Sequence, residues 1–215
     1  MRWRFRTQTL LRIVATTLIS VSLFPRVTNA EDNDAKYVFP FAKVAVSYPK
    51  DHLHYPAVDV DGCYARILAP TAGFISQLHR LDKWTPENDS PGTRGGLTIT
   101  VQGDDGVRYF FSHLGRIKVL KNQRVAAGDW IGVMGSSGNA RVTRCHTHFG
   151  MSRVCPLAEV YLLQGEIWPQ KYLNAWKQGQ QLSPRREIRK LEKNDPLGCS
   201  RSRADSAIDG QRNSG

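Results

Sequence analysis

The sequence predicts a mainly β protein of antiparallel strands that ends in a short helical extension. The central part of the chain consists of short apolar stretches separated by turn signals, a pattern typical of an all-β domain. Residues 97–102 and 107–111 flank Asp105-Gly106, which indicates a tight hairpin. From Pro169 onwards the apolar residues follow helical spacing instead.

The remaining strand candidates are short, apolar and bounded by turn residues. They are residues 65–69, 73–78, 130–134 and the segment that contains His146 and His148. Residues 81–96 have two prolines, three glycines and no apolar periodicity, which predicts a long surface loop of the kind that often lines a cleft. Residues 169–179 predict a helix, and a second, basic helix is expected to end near Lys193.

The two ends of the chain differ in composition from this central part. The first thirty residues combine an arginine-rich start, an apolar run and Thr28-Asn29-Ala30, which predicts a secretory signal peptide cleaved after Ala30. The last residues are rich in Ser, Arg, Asp and Gly, which predicts disorder. The predicted organisation is a signal peptide at 1–30, an extended lead-in at 31–50, a β domain at 51–160, a helical extension at 161–195 and a disordered tail at 196–215.

Charge and the predicted export restrict the class of partner. The formal net charge is +11, and the first thirty residues hold five arginines and no acidic residue, so about +6 remains on the mature chain. A basic exported protein favours an anionic neighbourhood such as cell-wall polymers. The sequence shows no nucleic-acid-binding motif, and no later segment has the roughly 20 apolar residues that span a membrane. We therefore expect a secreted or wall-associated monomer with no nucleic-acid or membrane partner.

The four cysteines predict disulfide bonds, because an even count in an exported chain permits them. Cys145 and Cys155 flank the predicted histidine-bearing strand, so a bridge between them is expected to pin the ends of that strand. Cys63 and Cys199 then remain as a second pair by elimination. No two cysteines have the spacing of a zinc-binding knuckle.

Two histidines on one strand indicate a site. In Cys145-His146-Thr147-His148-Phe149-Gly150 the alternation of strand side chains places His146 and His148 on one face, roughly 7 Å apart. His113 and the segment that ends at Asp59 offer further imidazoles and a carboxylate. A catalytic zinc uses about three protein ligands and leaves one position open. The set therefore fits a zinc site with histidines left over for proton transfer.

These motifs, in this order, resemble those of the LytM/lysostaphin-type zinc metalloendopeptidases, peptidase family M23. The pair His146 and His148, followed by Phe149, matches the family's H-x-H strand, and Ser112-His113-Leu114 matches its isolated histidine. The other matches are Asp59 with Ala69-Pro70 and Gly73, Gly95-Gly96 before a strand, and the turn and strand of residues 121–132. The resemblance extends from about His52 to Met151.

The resemblance implies a fold, an activity and residue roles. The fold would be the antiparallel β-sheet architecture called the duplicated hybrid motif. The activity would be zinc-dependent hydrolysis of peptide bonds in peptidoglycan stem peptides or cross-bridges. Asp59 and His148 would bind Zn²⁺ together with a histidine upstream of Asp59, while His113 and His146 would act on the reacting peptide without binding the metal.

The first metal ligand has two candidates. The family usually spaces it as H-x-x-x-D, and Tyr55 occupies that position here. Exported relatives with a Tyr-Pro-Ala-x-Asp motif carry the histidine further upstream, which favours His52, whereas His54 has the shorter spacing to Asp59. In an extended segment the two histidines would share a face. We predict His54 as the ligand and keep His52 as its alternative.

Two other classes of function compete with the zinc endopeptidase. The shifted first histidine is compatible with a catalytically degenerate family member that binds the cell wall or regulates another wall hydrolase. The histidines would also suit a secreted protein that stores or senses metal. Degenerate members typically lose several motif histidines, whereas His113 and His146 are both present here. The sequence therefore favours the enzyme.

Overall fold

Ten antiparallel strands in two sheets form the framework of the described structure. The computed structural model describes Met1 and residues 35–49, 55–155 and 164–202. The strands are β1 (Phe41–Ala42), β2 (Val58–Asp61), β3 (Arg66–Leu68), β4 (Gly73–His79), β5 (Thr98–Gly103), β6 (Val107–Phe111), β7 (Leu114–Ile117), β8 (Arg124–Val125), β9 (Trp130–Met134) and β10 (His146–Arg153). The helices are α1 (Pro91–Arg94), a 3-10 helix (Gly138–Val142), α2 (Gln170–Lys177) and α3 (Arg185–Asn194).

Several predictions made from the sequence fall on residues outside these ranges. They are the signal peptide at 1–30, the candidate ligands His52 and His54, and most of the predicted tail. Among the described residues, none of the helices combines the length and the apolar character that a bilayer crossing requires.

The two sheets differ in size. The smaller one has the strand order β1-β3-β9-β7, and the larger one has the order β2-β10-β6-β5-β4-β8. All pairings in both sheets are antiparallel, which confirms the predicted mainly β class. β10 and β6 lie inside the larger sheet, so each is hydrogen-bonded on both edges and its position is set by two neighbours.

One apolar cluster joins side chains from both sheets. Phe111 and Phe149 pack against each other with ring centroids 4.9 Å apart. Phe41 of the smaller sheet meets both rings edge-on, at 6.4 Å and 6.2 Å. Phe111 and Phe149 are completely buried. These contacts place one face of β6 and β10 in the core and leave the other face for the polar side chains described below.

The strand predictions are confirmed with small shifts of their ends. β6 and β9 coincide with the predicted residues 107–111 and 130–134, and β5 is displaced by one residue. The hairpin between β5 and β6 turns at Gly106, whose φ of 75° suits glycine. The Asp105 carboxylate accepts a hydrogen bond from the Val107 amide at 3.1 Å, which closes the turn.

The helical extension is packed against the β domain through aromatic residues. Trp176 of α2 stacks on Tyr37 of the lead-in, with ring centroids 5.5 Å apart and planes 2° from parallel. It also meets the buried Tyr109 of β6 edge-on at 6.3 Å. The lead-in is therefore an integral part of the fold, held between the extension and the strands.

The beginning of the predicted tail is part of the ordered structure. Residues 198–202 are helical, and Cys199 is bonded to Cys155 at the end of β10. The buried Arg153 side chain adds hydrogen bonds to the Asp195 carbonyl and carboxylate. The prediction of disorder from residue 196 used composition alone, and composition does not show which cysteines pair. The disulfide at Cys199 anchors this segment although it has few apolar side chains to bury.

The predicted pairing of the cysteines is wrong. The structure joins Cys63 to Cys145 and Cys155 to Cys199. Cys145 and Cys155 lie beyond opposite ends of β10, so an extended chain separates them by roughly 30 Å. A disulfide needs Cα atoms about 4.4–6.8 Å apart, which excludes the predicted bridge. Sequence proximity misled the prediction because strand ends are far apart in space.

Digestion of the oxidised protein without reductant should therefore yield peptides linking Cys63 to Cys145 and Cys155 to Cys199, identified by mass spectrometry. Replacing Cys63 and Cys145 together by Ser should lower the free energy of unfolding by roughly 2–5 kcal/mol, because the bridge closes a loop with a sequence separation of 82 residues. A peptide linking Cys145 to Cys155 would contradict the structure.

Candidate active site

The pairing of β2 with β10 assembles the first half of the site. The register sets His148 opposite Asp59 and His146 opposite Asp61. Strand alternation sends these four side chains to the face of the sheet opposite Phe149. The His148 Nδ1 atom lies 2.9 Å from the Asp59 Oδ1 atom. The predicted neighbours Asp59 and His148 are therefore in direct contact, although 89 residues separate them.

His113 lies on the same face because its backbone is not in the extended conformation of a strand. Two residues earlier, Phe111 points into the core, so regular alternation would send His113 there as well. Instead His113 has a φ of 61°, a left-handed conformation that costs about 1–2 kcal/mol for a residue with a Cβ. Its amide donates to the Gly95 carbonyl at 2.9 Å, and its carbonyl accepts from the Gly135 amide at 3.1 Å.

The two predicted catalytic histidines are adjacent. The ring centroids of His113 and His146 are 4.7 Å apart. His113 Nδ1 lies 2.9 Å from the Ser137 carbonyl, and His146 Nδ1 lies 2.8 Å from the Arg144 carbonyl. A carbonyl oxygen only accepts hydrogen bonds, so in the neutral form of each ring Nδ1 carries the proton and Nε2 is the acceptor. Both rings can therefore take a proton at Nε2.

His113 is neutral around pH 7. Its side chain is almost completely buried, and burial is the largest cause that lowers its pKa to about 3. The neighbouring His146 and His148 lower the pKa further. A neutral imidazole of defined tautomer is suited to accept a proton and then to return it.

Asp59 and His148 have the chemistry of zinc ligands. His148 Nδ1 lies 2.9 Å from Asp59 Oδ1, and His148 Nε2 lies 3.3 Å from the Gln164 carbonyl, so both ring nitrogens face oxygen acceptors. With the ring proton on Nε2, the lone pair of Nδ1 would be available to a metal ion beside the Asp59 carboxylate. Zinc sites use imidazole nitrogens and carboxylate oxygens as ligands. A zinc-binding histidine usually donates its other ring N–H to a backbone carbonyl or a carboxylate. The donor set therefore fits Zn²⁺.

The predicted third ligand falls outside the described residues. Within residues 35–49, 55–155 and 164–202, no group of three or more His, Cys, Asp or Glu side chains could hold a metal ion. The predicted candidates His54 and His52 lie in the segment before Tyr55, outside these ranges. The choice between them stays a prediction.

Tyr55 and Gln164 are site residues that the sequence did not single out as such. The Tyr55 hydroxyl lies 3.4 Å from His148 Nε2 and donates to the Gln164 side-chain carbonyl at 2.5 Å. Burial and then the Asp59 charge raise the pKa of Tyr55, so the phenol stays protonated at neutral pH. Gln164 lies in the predicted helical extension, and no sequence motif marks it as a neighbour of His148.

An open depression lies beside His146. It is lined by Asp59, Asp61, Thr143, Arg144 and His146. Arg144 and Asp61 form an ion pair of 2.7 Å at its edge, with the Arg144 side chain largely exposed. The depression therefore presents both signs of charge next to one imidazole of the pair.

Comparison with known proteins agrees with the motifs. Residues 54–158 match the profile of peptidase family M23. No curated protein sequence is similar enough to count as a match.

Among solved structures, the chain resembles a protein from Ruminococcus gnavus described as a glycyl-glycine endopeptidase LytM, with 18% identity and a TM-score of 0.53, over 70% of this chain and 64% of that one. It also matches an M23 peptidase from Pseudomonas aeruginosa (22% identity, TM-score 0.48, 65% and 51% covered) and the catalytic domain of lysostaphin from Staphylococcus simulans (22% identity, TM-score 0.45, 61% and 92% covered).

These structural likenesses concern the fold, because each pair shares less than 25% identity. The chain spans about half of the Pseudomonas aeruginosa protein and just under two thirds of the Ruminococcus gnavus protein. The sequence profile and the shared fold together lead to one conclusion: residues 54–158 assign this chain to peptidase family M23.

Proposed function

We propose that this protein is an exported zinc-dependent endopeptidase that hydrolyses peptide bonds in peptidoglycan stem peptides or cross-bridges. The observation that carries the proposal is the position of two imidazoles, each held at Nδ1 by a backbone carbonyl, beside the Asp59–His148 donor pair. A peptidase of this kind needs both a metal site and groups that move protons, and the two sets are adjacent on one face of the sheet.

The metal site proposed for Zn²⁺ consists of Asp59, His148 and either His54 or His52. When bound, zinc supplies Lewis-acid polarisation of the scissile carbonyl and lowers the pKa of water to about 7. The Gln164 carbonyl and the Tyr55 hydroxyl orient the His148 ring from its Nε2 side. This orientation keeps His148 Nδ1 directed at the carboxylate of Asp59.

His113 and His146 are proposed to handle protons and charge on the reacting peptide. Because His113 is neutral, its Nε2 can accept a proton from the attacking water. The imidazolium formed can donate to the oxygen of the tetrahedral intermediate or to the leaving amine. The Ser137 and Arg144 carbonyls hold the rings by their Nδ1 atoms, so the Nε2 atoms are the ones proposed to act on the peptide.

Three features support an extracytoplasmic, wall-associated location. Both cysteine pairs are oxidised in the structure, as is usual for proteins outside the reducing cytoplasm. The predicted signal peptide at 1–30 provides the route of export. The basic net charge suits an anionic cell wall.

The proposed activity is tested on isolated cell-wall sacculi. The purified protein should release soluble peptide fragments, lose this activity with a chelator and regain it when Zn²⁺ is added. Fragments are identified by chromatography and mass spectrometry, and the Asp59→Ala variant provides the inactive control. Tight binding to sacculi without any release, across several buffers and metals, would favour the degenerate family member instead.

The metal ligands should be separable from the proton-transfer residues by zinc analysis. Asp59→Ala and His148→Ala should lose stoichiometric zinc, because each removes one of about three protein donors. His79→Ala, which changes an exposed histidine at the end of β4, serves as the control and should keep the metal. Retention of one zinc per chain in His148→Ala would contradict the proposed ligand set.

His113→Ala and His146→Ala should keep zinc but reduce the rate of fragment release by about 10²–10⁴-fold, the usual contribution of a general acid–base group. Both the bound zinc and the initial rate are measured on the same preparations. Wild-type rates in either variant would exclude the corresponding histidine from catalysis.

A further inference from the structure

We propose that Asp82 is a positioning residue for His113, acting through the peptide group that joins Ser137 to Gly138. The inference rests on the proposed function, in which His113 transfers protons. The contact itself is a property of the resting protein. Asp82 lies in the loop of residues 81–96, 31 positions before His113, and belongs to none of the motifs described above.

One peptide group connects the carboxylate to the imidazole. The carbonyl of Ser137 accepts the hydrogen bond from His113 Nδ1 at 2.9 Å. The N–H of the same peptide, which belongs to Gly138, donates to Asp82 Oδ2 at 3.0 Å. The carbonyl and the N–H of a trans peptide point in opposite directions, so the carboxylate, the peptide and the ring form a continuous hydrogen-bonded chain.

The hydrogen bonds from Asp82 through the peptide to His113 change how strongly the Ser137 carbonyl accepts. A carboxylate that accepts from an amide N–H polarises that peptide and makes its carbonyl a stronger acceptor. A stronger acceptor at Ser137 favours the Nδ1–H tautomer of His113 and stabilises the positive charge that forms when Nε2 takes a proton. Asp82 would thus do through a peptide what the aspartate of a serine-protease triad does by direct contact.

Asp82 is ionised and tightly held. Its pKa is raised by partial burial, but hydrogen bonds from Arg141 and from the Gly138 and Trp84 amides outweigh that effect and hold the pKa below its usual value. Arg141 pairs with Oδ2 at 2.6 Å, and the Trp84 amide donates to Oδ1 at 3.3 Å. The carboxylate therefore has little freedom to leave the Gly138 amide.

The bridging peptide is also fixed in place. Gly96 and Gly138 both have positive φ, at 59° and 68°, and their backbones are in contact. A Cβ on Gly138 would lie 2.0 Å from the Arg94 carbonyl, so only glycine permits this approach. The Ser137 hydroxyl accepts from the Leu97 amide at 2.9 Å. These contacts hold the Ser137 carbonyl at the position that the His113 ring requires.

A purely structural role for Asp82 makes a different prediction. In that case Asp82 would only attach the 81–96 loop to the 3-10 helix, and its loss would lower stability without changing the state of His113. Asp104 offers a matched control, since it is ionised by a similar pairing with Arg124 at 2.6 Å. It lies in the hairpin at the opposite end of β6 from His113.

The deciding measurement is the tautomer of His113 by NMR in protein labelled with ¹⁵N-histidine at pH 7, with and without added Zn²⁺. The His113 resonances are assigned by comparison with His113→Ala. In the wild type we expect the Nδ1–H form. In Asp82→Asn, which keeps the volume but loses the charge, the ratio of Nδ1–H to Nε2–H should fall roughly three- to tenfold, the difference between charge-assisted and neutral hydrogen bonds. Asp82→Ala should lower it further, and Asp104→Asn should leave it unchanged.

Kinetics provide the second readout. In zinc-loaded Asp82→Asn, kcat for a soluble cross-linked peptide should fall about 10–100-fold while KM stays within about twofold, because the substrate contacts are unaffected. An unchanged His113 tautomer in Asp82→Asn overturns the inference even if the protein is a peptidase. If no peptidase activity is found, the NMR result alone still decides whether Asp82 sets the state of His113.

Discussion

The register between β2 and β10 is the constraint on which the whole site depends. It places His148 opposite Asp59 and fixes which face of the strand carries the histidines. A slip of one residue would send every β10 side chain to the other face. Phe149 prevents that slip, because it is completely buried against Phe111 and would have to leave the core. Hydrophobic packing on one face of the sheet thus fixes the positions of the polar side chains on the other face.

His113 shows where the site departs from regular β structure. Continued alternation after β6 would place its ring in the core, and the left-handed backbone brings it to His146 instead. The strain is supported by backbone hydrogen bonds to Gly95 and Gly135, which belong to two separate loops. Strained backbone held by several neighbours is common at functional sites, because it fixes a side chain where regular structure would not put it.

The elements around the β domain act as supports for this arrangement. The Cys63–Cys145 bridge connects the segment after β2 to the residue before β10, so it reinforces the strand pair that carries Asp59 and His148. Gln164, which precedes α2, contacts the His148 ring from the side opposite Asp59. Tyr37 and Trp176 tie the lead-in to the extension behind the sheet. Segments outside the motifs therefore help to orient the residues within them.

The sequence by itself determined the features that depend on local spacing. The period of two along a strand sets His146 and His148 on one face, Asp105-Gly106 specifies the hairpin, and the order of motifs identifies the family. Only the tertiary structure decided the contacts between distant segments: which cysteines pair, which carbonyls orient the rings of His113 and His148, and that Asp82 shares a peptide group with His113. Local spacing carries no information about which loops meet, because those meetings are set by sheet register and core packing over the whole chain.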